Sequence, residues 1–259
     1  MTNLDHNTLI KAALAAALAG AKIADAASAS QVVNHKGSLR DIVTQADMDI
    51  SELLEKQLSA TGLPVISEEK HDPARRMPDV FWVVDPIDGT VNFSHGLRQF
   101  AVSVGLVENA EFTLGVVCAP ALDELYFVLN PTHALLNGRP FTHVHRSQDD
   151  ALVAVSFSAK APQSCYSLFQ HVNESTRGCL RTGSAALNIC WAANGKLQAA
   201  FGFNAKLWDV AGALAIARAA GCSVALRYQP NALTLDYCVG SRDVVHHITA
   251  LAQQNGLWD

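Results

Sequence analysis

Trp82-Val83-Val84-Asp85-Pro86-Ile87-Asp88-Gly89-Thr90 is the stretch on which the reading of this chain turns. It sets two carboxylates three residues apart on a rigid turn leaving an apolar strand. Pro86 fixes one backbone dihedral and removes a donor, while Gly89 lets a ligand approach the main chain closely. Crowded carboxylates repel one another, and a proton or a cation relieves the repulsion. Oxygen-only donors favour Mg, Mn or Ca over zinc, which prefers His and Cys. The turn can aim the Ile87 carbonyl at the point the two carboxylates share, and Thr90 adds a hydroxyl. An Asx-type turn, with aspartates that only bond backbone amides, is the competing reading.

The chain around this stretch has 259 residues, 49% of them hydrophobic, enough to bury a full core in one large domain or two closely packed halves. Its net charge of -5 and its 19 Lys and Arg, with no dense basic run, argue against a nucleic-acid partner. A small anion handled through metals remains compatible. Cys118, Cys165, Cys179, Cys190, Cys222 and Cys238 form no CxxC pair and read as reduced thiols of a cytoplasmic protein. Lys11 followed by the Ala- and Leu-only run Ala12–Ala19 loosely mimics a secretory leader. Asp5 and His6 dilute a basic start, however, and Lys22 and Asp25 continue a helical pattern. No segment approaches the ~20 apolar residues of a membrane span.

Outward from the central stretch, the pattern predicts an Ala-rich helix over about Leu4–Ala27, then a polar loop from Gln31 to Arg40 containing Lys36. A second helix is predicted from Ile50, Leu53, Leu54 and Leu58, which share one face, with Asp47 near its start. Asp47 can serve there simply as a first-turn acid complementing the helix dipole. Pro64–Ile66 and Val80–Val84 read as strands that deliver acids from their ends, Ser67-Glu68-Glu69 and Asp85 respectively. Further strands are predicted at 101–107, 112–118 and 125–129, with a hairpin at Asn137-Gly138. The second half alternates: strand 152–157, helices 165–172 and 183–193, strand 197–203 and helix 208–220. This is the rhythm of mixed α/β layers. No internal repeat or linker is visible, so the expectation is one catalytic unit of two packed sub-domains, about 1–145 and 146–259.

Five motifs in order, spread over nearly the whole length, give the chain a family resemblance. They are Asp41-Ile-Val-Thr-Gln-Ala-Asp47, Ser67-Glu68-Glu69, Asp85-Pro-Ile-Asp-Gly-Thr90 with Asn92-Phe93, Gly183-Ser-Ala-Ala-Leu-Asn188, and Trp208-Asp209-Val-Ala-Gly212 running to Ala220-Gly221. The chain resembles the inositol monophosphatase family of Mg-dependent, lithium-sensitive phosphatases. The resemblance implies a layered αβαβα sandwich of the inositol monophosphatase / fructose-1,6-bisphosphatase type. It also implies Mg2+, two or three ions per site, with Mn2+ as a substitute, Ca2+ or Li+ as inhibitors, and a homodimer.

By the same resemblance, Glu68, Asp85 and the Ile87 carbonyl would hold one ion, with Ser67 replacing the family's glycine. Asp85 would bridge to a second ion held by Asp88 and Asp209. Thr90 and Asp47 would orient and deprotonate the attacking water, and Asp88, Gly89, Thr90, Gly183, Ser184 and Ala185 would line the substrate site. Helix N-termini after Gly89-Thr90 and Gly183-Ser184-Ala185 suit an anion through their free amides. Each has a structural reading beside it: an ordinary small-residue helix start at Gly183, and for Asp209 an N-cap of the helix ending at Gly221.

One position departs from the family. Inositol-hydrolysing members carry an acid six residues before the Trp-Asp motif, where this chain has Gly202. A polyol wants its hydroxyls paired, so this weakens inositol specificity, with Asn204 or Lys206 as possible substitutes. The substrate expectation is therefore a small soluble phosphate ester like inositol 1-phosphate. Competing with it are 3'-phosphoadenosine 5'-phosphate, fructose 1,6-bisphosphate and histidinol phosphate. A regulatory or binding protein on the same scaffold is the reading from a different class. His143, His145, His246 and His247 lack the acids of a metal site, Trp191 and Trp208 read as core, and Lys36 reads as a solvated loop residue.

Overall fold

The computed structural model describes residues 5–27, 32–35, 42–70, 77–158 and 160–258. Lys36 and Asp41 lie outside the described residues. In chain order the first half comprises α1 (His6–Ala26), β1 (Val32–His35), β2 (Ile42–Thr44), α2 (Gln45–Ser59), β3 (Val65–Ser67), β4 (Val80–Asp88) and α3 (Thr90–Ser94). It continues with β5 (Ala101–Glu108), β6 (Glu111–Ala119), β7 (Glu124–Asn130), β8 (His133–Leu136) and β9 (Arg139–Phe141). The second half comprises β10 (Leu152–Ser156), α4 (Gln163–Glu174), β11 (Gly178–Leu180), α5 (Ala185–Ala193), β12 (Ala199–Lys206), α6 (Leu207–Ala219), β13 (Ser223–Arg227), β14 (Thr234–Gly240) and α7 (Arg242–Gln254).

Strands β3 to β9 form one sheet in sequential order, parallel only at β3–β4. A second sheet runs β11-β10-β12-β14-β13 and is mixed, parallel on the β10 side and antiparallel around β14. Alternation along the strands decides what covers each face. Trp82 and Val84 of β4 pack with Ile50, Leu54 and Leu58 of α2 and the small residues Ala13, Ala16 and Ala17 of α1. Phe81 and Val83, on the opposite face, pack with α5 and α6. The same two helices cover Ala200, Tyr237 and Val239 of the second sheet, whose far face is closed by α4 and α7. The layers are therefore α, β, α, β, α, the expected sandwich. No helix among the described residues is long and apolar enough to cross a membrane.

Local chemistry sets several boundaries. Thr44 caps α2: its side chain accepts from Asp47 N, and its own N–H donates to Asp47 Oδ2 at 2.8 Å. Asn137 and Gly138 both adopt positive φ, 51° and 75°, and turn β8 into β9. The β4 strand differs from expectation, because it runs on to Asp88 instead of ending at Asp85. Its register against β5 slips between Asp85 and Asp88. Pro86 sits in that bulge, where its missing N–H breaks no ladder bond, and the extra residues re-aim the acids. Helix α5 begins at Ala185, two residues later than predicted, and Trp191 is only half-buried, its Nε1 donating to Glu124. Trp208 is buried as expected.

Helix α6 is the middle of the sandwich, with 11 of its 13 residues buried. It reaches that depth because its contact with β5 and β6 is glycine on glycine. A Cβ on Gly115 would lie 1.9 Å from the Gly212 carbonyl oxygen, and one on Gly212 would lie 2.6 Å from that of Val104. Both obstacles are backbone, so neither can rotate away. Gly115→Ala is accordingly expected to lower unfolding free energy by about 3 kcal/mol, the upper part of the overpacking range. An unchanged urea midpoint would refute this seating of α6.

Candidate active site

The acids of three segments meet where β3 and β4 end against the start of α6. Each of Glu68, Asp85 and Asp209 offers one oxygen, and the three atoms lie within 4.8 Å of one another. Asp85 is held by the bulge itself, its Oδ1 accepting from Ile87 N at 2.9 Å. Asp209 is not the N-cap of α6, which is Lys206. As the third helical residue it folds back to accept from the Lys206 N–H, with the Lys206 charge nearby. Ser67, just before Glu68, is buried against Ser51, Oγ to Oγ 2.8 Å.

Asp88 faces a different partner. Its carboxylate caps α5 from across the chain, accepting from the Ser184 hydroxyl, Ala186 N at 2.8 Å and Ala185 N at 3.2 Å. The Ser184 hydroxyl also accepts from Leu187 N. A carboxylate has about four lone-pair sites, so three contacts leave one, on the Oδ1 that takes only Ala185. The Ala185 amide is thus committed to Asp88. Gly183 has φ +92°, and a Cβ there would strike the Asn92 side chain at 2.7 Å. Asn92 Nδ2 donates to Gln99 O and Thr182 O, tying α3 to the segment before α5.

Thr90, at the start of α3, places its hydroxyl 2.9 Å from Ile87 O and 3.2 Å from Asp47 Oδ1. Gly89 before it has φ +96°, and its ideal Cβ would lie 2.8 Å from Gln99 O, so glycine is required twice over. All the expected site residues therefore lie in one neighbourhood, Glu68, Asp85 and Asp209 as one group, Asp88 on α5, and Asp47 with Thr90 as a pair.

The electrostatics follow from burial. Asp85 is pushed well above the ordinary carboxylate range, first by burial and then by the charges of Glu68, Asp88 and Asp209. Asp209 is raised in the same way, with Lys206 opposing. Asp88 rises to about 6 through burial, partly offset by its bonds from Ser184, Ala186 and Ala185. Asp47 also rises to about 6 through burial, against the bonds from Thr44. A crowded, all-oxygen donor set of this kind fits a hard divalent cation, which neutralises the repulsion without bringing in protons.

The departure at Gly202 has a structural counterpart that no local pattern announces. Gly202 pairs with Tyr237 on β14, and a Cβ at 202 would lie 2.6 Å from Tyr237 Cε1 and 2.8 Å from Ser156 O. The fully buried Tyr237 ring thus covers the position. Of the two suggested substitutes, Asn204 is exposed at the irregularity of β12 against β14, with left-handed backbone (φ 50°) and its N–H on Asp236. Lys206 is exposed, with Nζ 5.8 Å from the Trp208 ring centroid. Two of the histidines have structural bonds: His143 to Ala192 O and Ser241 Oγ, and His247 to Ser175 Oγ. All six cysteines are free thiols.

Comparison with known proteins agrees with this geometry over nearly the full length. The model of the "Inositol monophosphatase family" matches residues 5–255. An inositol-1-monophosphatase SuhB of Mycobacterium tuberculosis is 34% identical over 217 residues, 79% of this chain and 75% of that protein. A fructose-1,6-bisphosphatase/inositol-1-monophosphatase of Thermotoga maritima is 30% identical over 194 residues, 73% of each. The solved structure of Mycobacterium tuberculosis SuhB superposes with a TM-score of 0.81 at 27% identity, covering 98% of this chain and 100% of that one. Motif order, layered fold and sequence likeness converge, and the chain belongs to the inositol monophosphatase family, metal-dependent hydrolases of phosphoric monoesters.

Proposed function

We propose that the chain hydrolyses a small soluble phosphate ester with the help of Mg2+, which Glu68, Asp85, Asp88, Asp209 and the Ile87 carbonyl would hold, Asp85 serving both ions of a two-metal site if two are bound. The observation that carries this reading is the meeting of Glu68, Asp85 and Asp209 oxygens within 4.8 Å, beside an Asp88 with one uncommitted lone-pair site. When bound there, Mg2+ supplies Lewis acidity to the phosphoryl oxygens and makes water easier to deprotonate.

The chain's own residues provide the rest. Thr90, hydrogen-bonded to Asp47, orients the attacking water and passes its proton on to that carboxylate. A base with a pKa near 6 accepts a proton at neutral pH more readily than an ordinary aspartate. Asp88 and the N-terminal turns of α3 and α5 shape the wall around the ester, with Gly89, Thr90, Gly183, Ser184 and Ala185 lining it. With Tyr237 over Gly202, no acid meets the leaving group from β12, so inositol 1-phosphate is one substrate of a panel. A cytoplasmic homodimer completes the reading.

Phosphate release from inositol 1-phosphate, 3'-phosphoadenosine 5'-phosphate, fructose 1,6-bisphosphate and histidinol phosphate, with Mg2+ and with or without Li+, tests the assignment. Hydrolysis of at least one ester, lost on adding Li+, is expected. A folded protein inactive on all four sinks the reading.

Ser184→Ala removes one of the bonds that orient Asp88, and should raise the Mg2+ concentration for half-maximal activity about 10- to 100-fold. An unaltered Mg2+ titration would show that Asp88 takes no part in holding the ion.

The raised carboxylates also set a pH dependence. Folded Asp47 and Asp88, at about 6, retain protons that the unfolded chain, at 3.8, has released. In the chelated protein, stability is therefore present at low pH and falls as pH rises from about 4 to 6, on the order of 2–3 kcal/mol per group. Denaturation with EDTA should show that decline and Mg2+ should restore stability at pH 7. A flat EDTA profile would contradict the burial argument.

A further inference from the structure

Outside the catalytic acids, the described residues line a half-open surface pocket of about 310 Å³, formed by Arg146, Asp150, Leu152, Arg177, Lys196 and Gln198. Three cations face one carboxylate there, in a chain whose net charge is -5. Arg177 pairs with Asp150, and Lys196 with Glu124. Arg146 has no carboxylate partner among the described residues.

Three separately anchored segments bring these cations together. The Arg146 N–H donates to Ser241 Oγ, which also contacts His143 Nε2, and the other His143 ring nitrogen rests on Ala192 O at the end of α5. Arg177 N donates to Ala151 O just before β10. Lys196 N donates to the Asn194 side chain, and its Nζ lies 5.8 Å from the Trp191 ring centroid. Gln198 is buried, with its amide donating to Gly195 O and accepting from Ser241. The main chain around the cavity is thus tied down.

Its place in the fold separates it from the catalytic site. Leu152 opens β10 and Gln198 precedes β12, while Asp88 sits at the N-terminus of α5 and Lys196 follows its C-terminus. Helix α5 has nine residues, about 13 Å at 1.5 Å per residue. Guanidinium groups match phosphate and carboxylate oxygens in bidentate geometry. Three cations from separate segments around one opening suit an anion with more than one charged group.

We propose that this cavity is a second anion site, which takes a small polyanion bearing two or more phosphate or carboxylate groups and uses Arg146 as its unneutralised anchor. The proposal stands apart from the catalytic reading, because it needs none of the acids.

Inorganic pyrophosphate is a suitable probe, titrated calorimetrically into the full-length chain with Mg2+ and again with EDTA. Chelation leaves the acid cluster repulsive to anions, so the binding that persists reports on the cavity. Inorganic phosphate and citrate as further arms distinguish phosphate chemistry from carboxylate chemistry. Saturable one-to-one binding of pyrophosphate in EDTA is expected, weakened about tenfold or more by Arg146→Ala, abolished by Arg146→Glu and retained in Asp88→Asn. Arg146 is exposed, so melting temperature and Mg-dependent phosphate release from p-nitrophenyl phosphate should stay at the parent level. Absence of saturable binding, binding that Arg146→Glu leaves unchanged, or binding lost in Asp88→Asn overturns the proposal.

Discussion

Several buried carboxylates have to be kept within a few ångströms of one another, and the architecture answers with helix N-termini. The N–H of Thr44 at the start of α2 bonds Asp47, those of Ala185 and Ala186 at the start of α5 bond Asp88, and that of Lys206 before α6 bonds Asp209. Each such terminus carries a partial positive charge and free amides, which favour an anion in its first turn. The amides moderate the repulsion without abolishing it. Asp85, whose bond comes from its own bulge, remains pushed well above the ordinary range. A bound cation would relieve that residual cost.

Convergence of these termini depends on how closely α6 approaches the larger sheet. Gly105 and Gly115 on adjacent strands face Gly212, and side chains there would collide with backbone. The close seat lets α6, with α5, cover both sheets while its first turn carries Asp209 toward Asp85 of β4. Packing and chemistry are the same constraint at this point. The bulge at Pro86 plays the complementary part, turning two acids of one strand toward different partners.

In the proposed reading, the residues given to chemistry and those given to selectivity come from different elements. The acids, Thr90 and the α5 terminus come from strand ends and first turns, whereas the surface beside them is set by β12 and β14. There the Tyr237 ring lies over Gly202, so no side chain at 202 can project without displacing it. Hydrolytic machinery can stay constant while that wall changes, as expected when function sits in sites carried on a shared fold.

Much of the site was legible in the sequence because its chemistry is local. Asp85-Pro-Ile-Asp-Gly-Thr90 announces clustered acids and Asn137-Gly138 requires a tight hairpin, each within a few residues, whereas the Thr44 cap that holds Asp47 emerged only in the structure. The alternating second half likewise announced mixed α/β layers. Local pattern could not show that Asp209 is the third residue of its helix and not its cap, or that β4 continues through the acids. Nor could it show that Asp88 would cap α5, 97 residues away at Ala185, or that Tyr237 would fill the space at Gly202. Short-range sterics and hydrogen bonds fix the sequence-legible features in isolation. The pairing of distant strands and the depth of α6 exist only once burial of the apolar faces has brought the layers together, and those contacts decided which acid meets which helix.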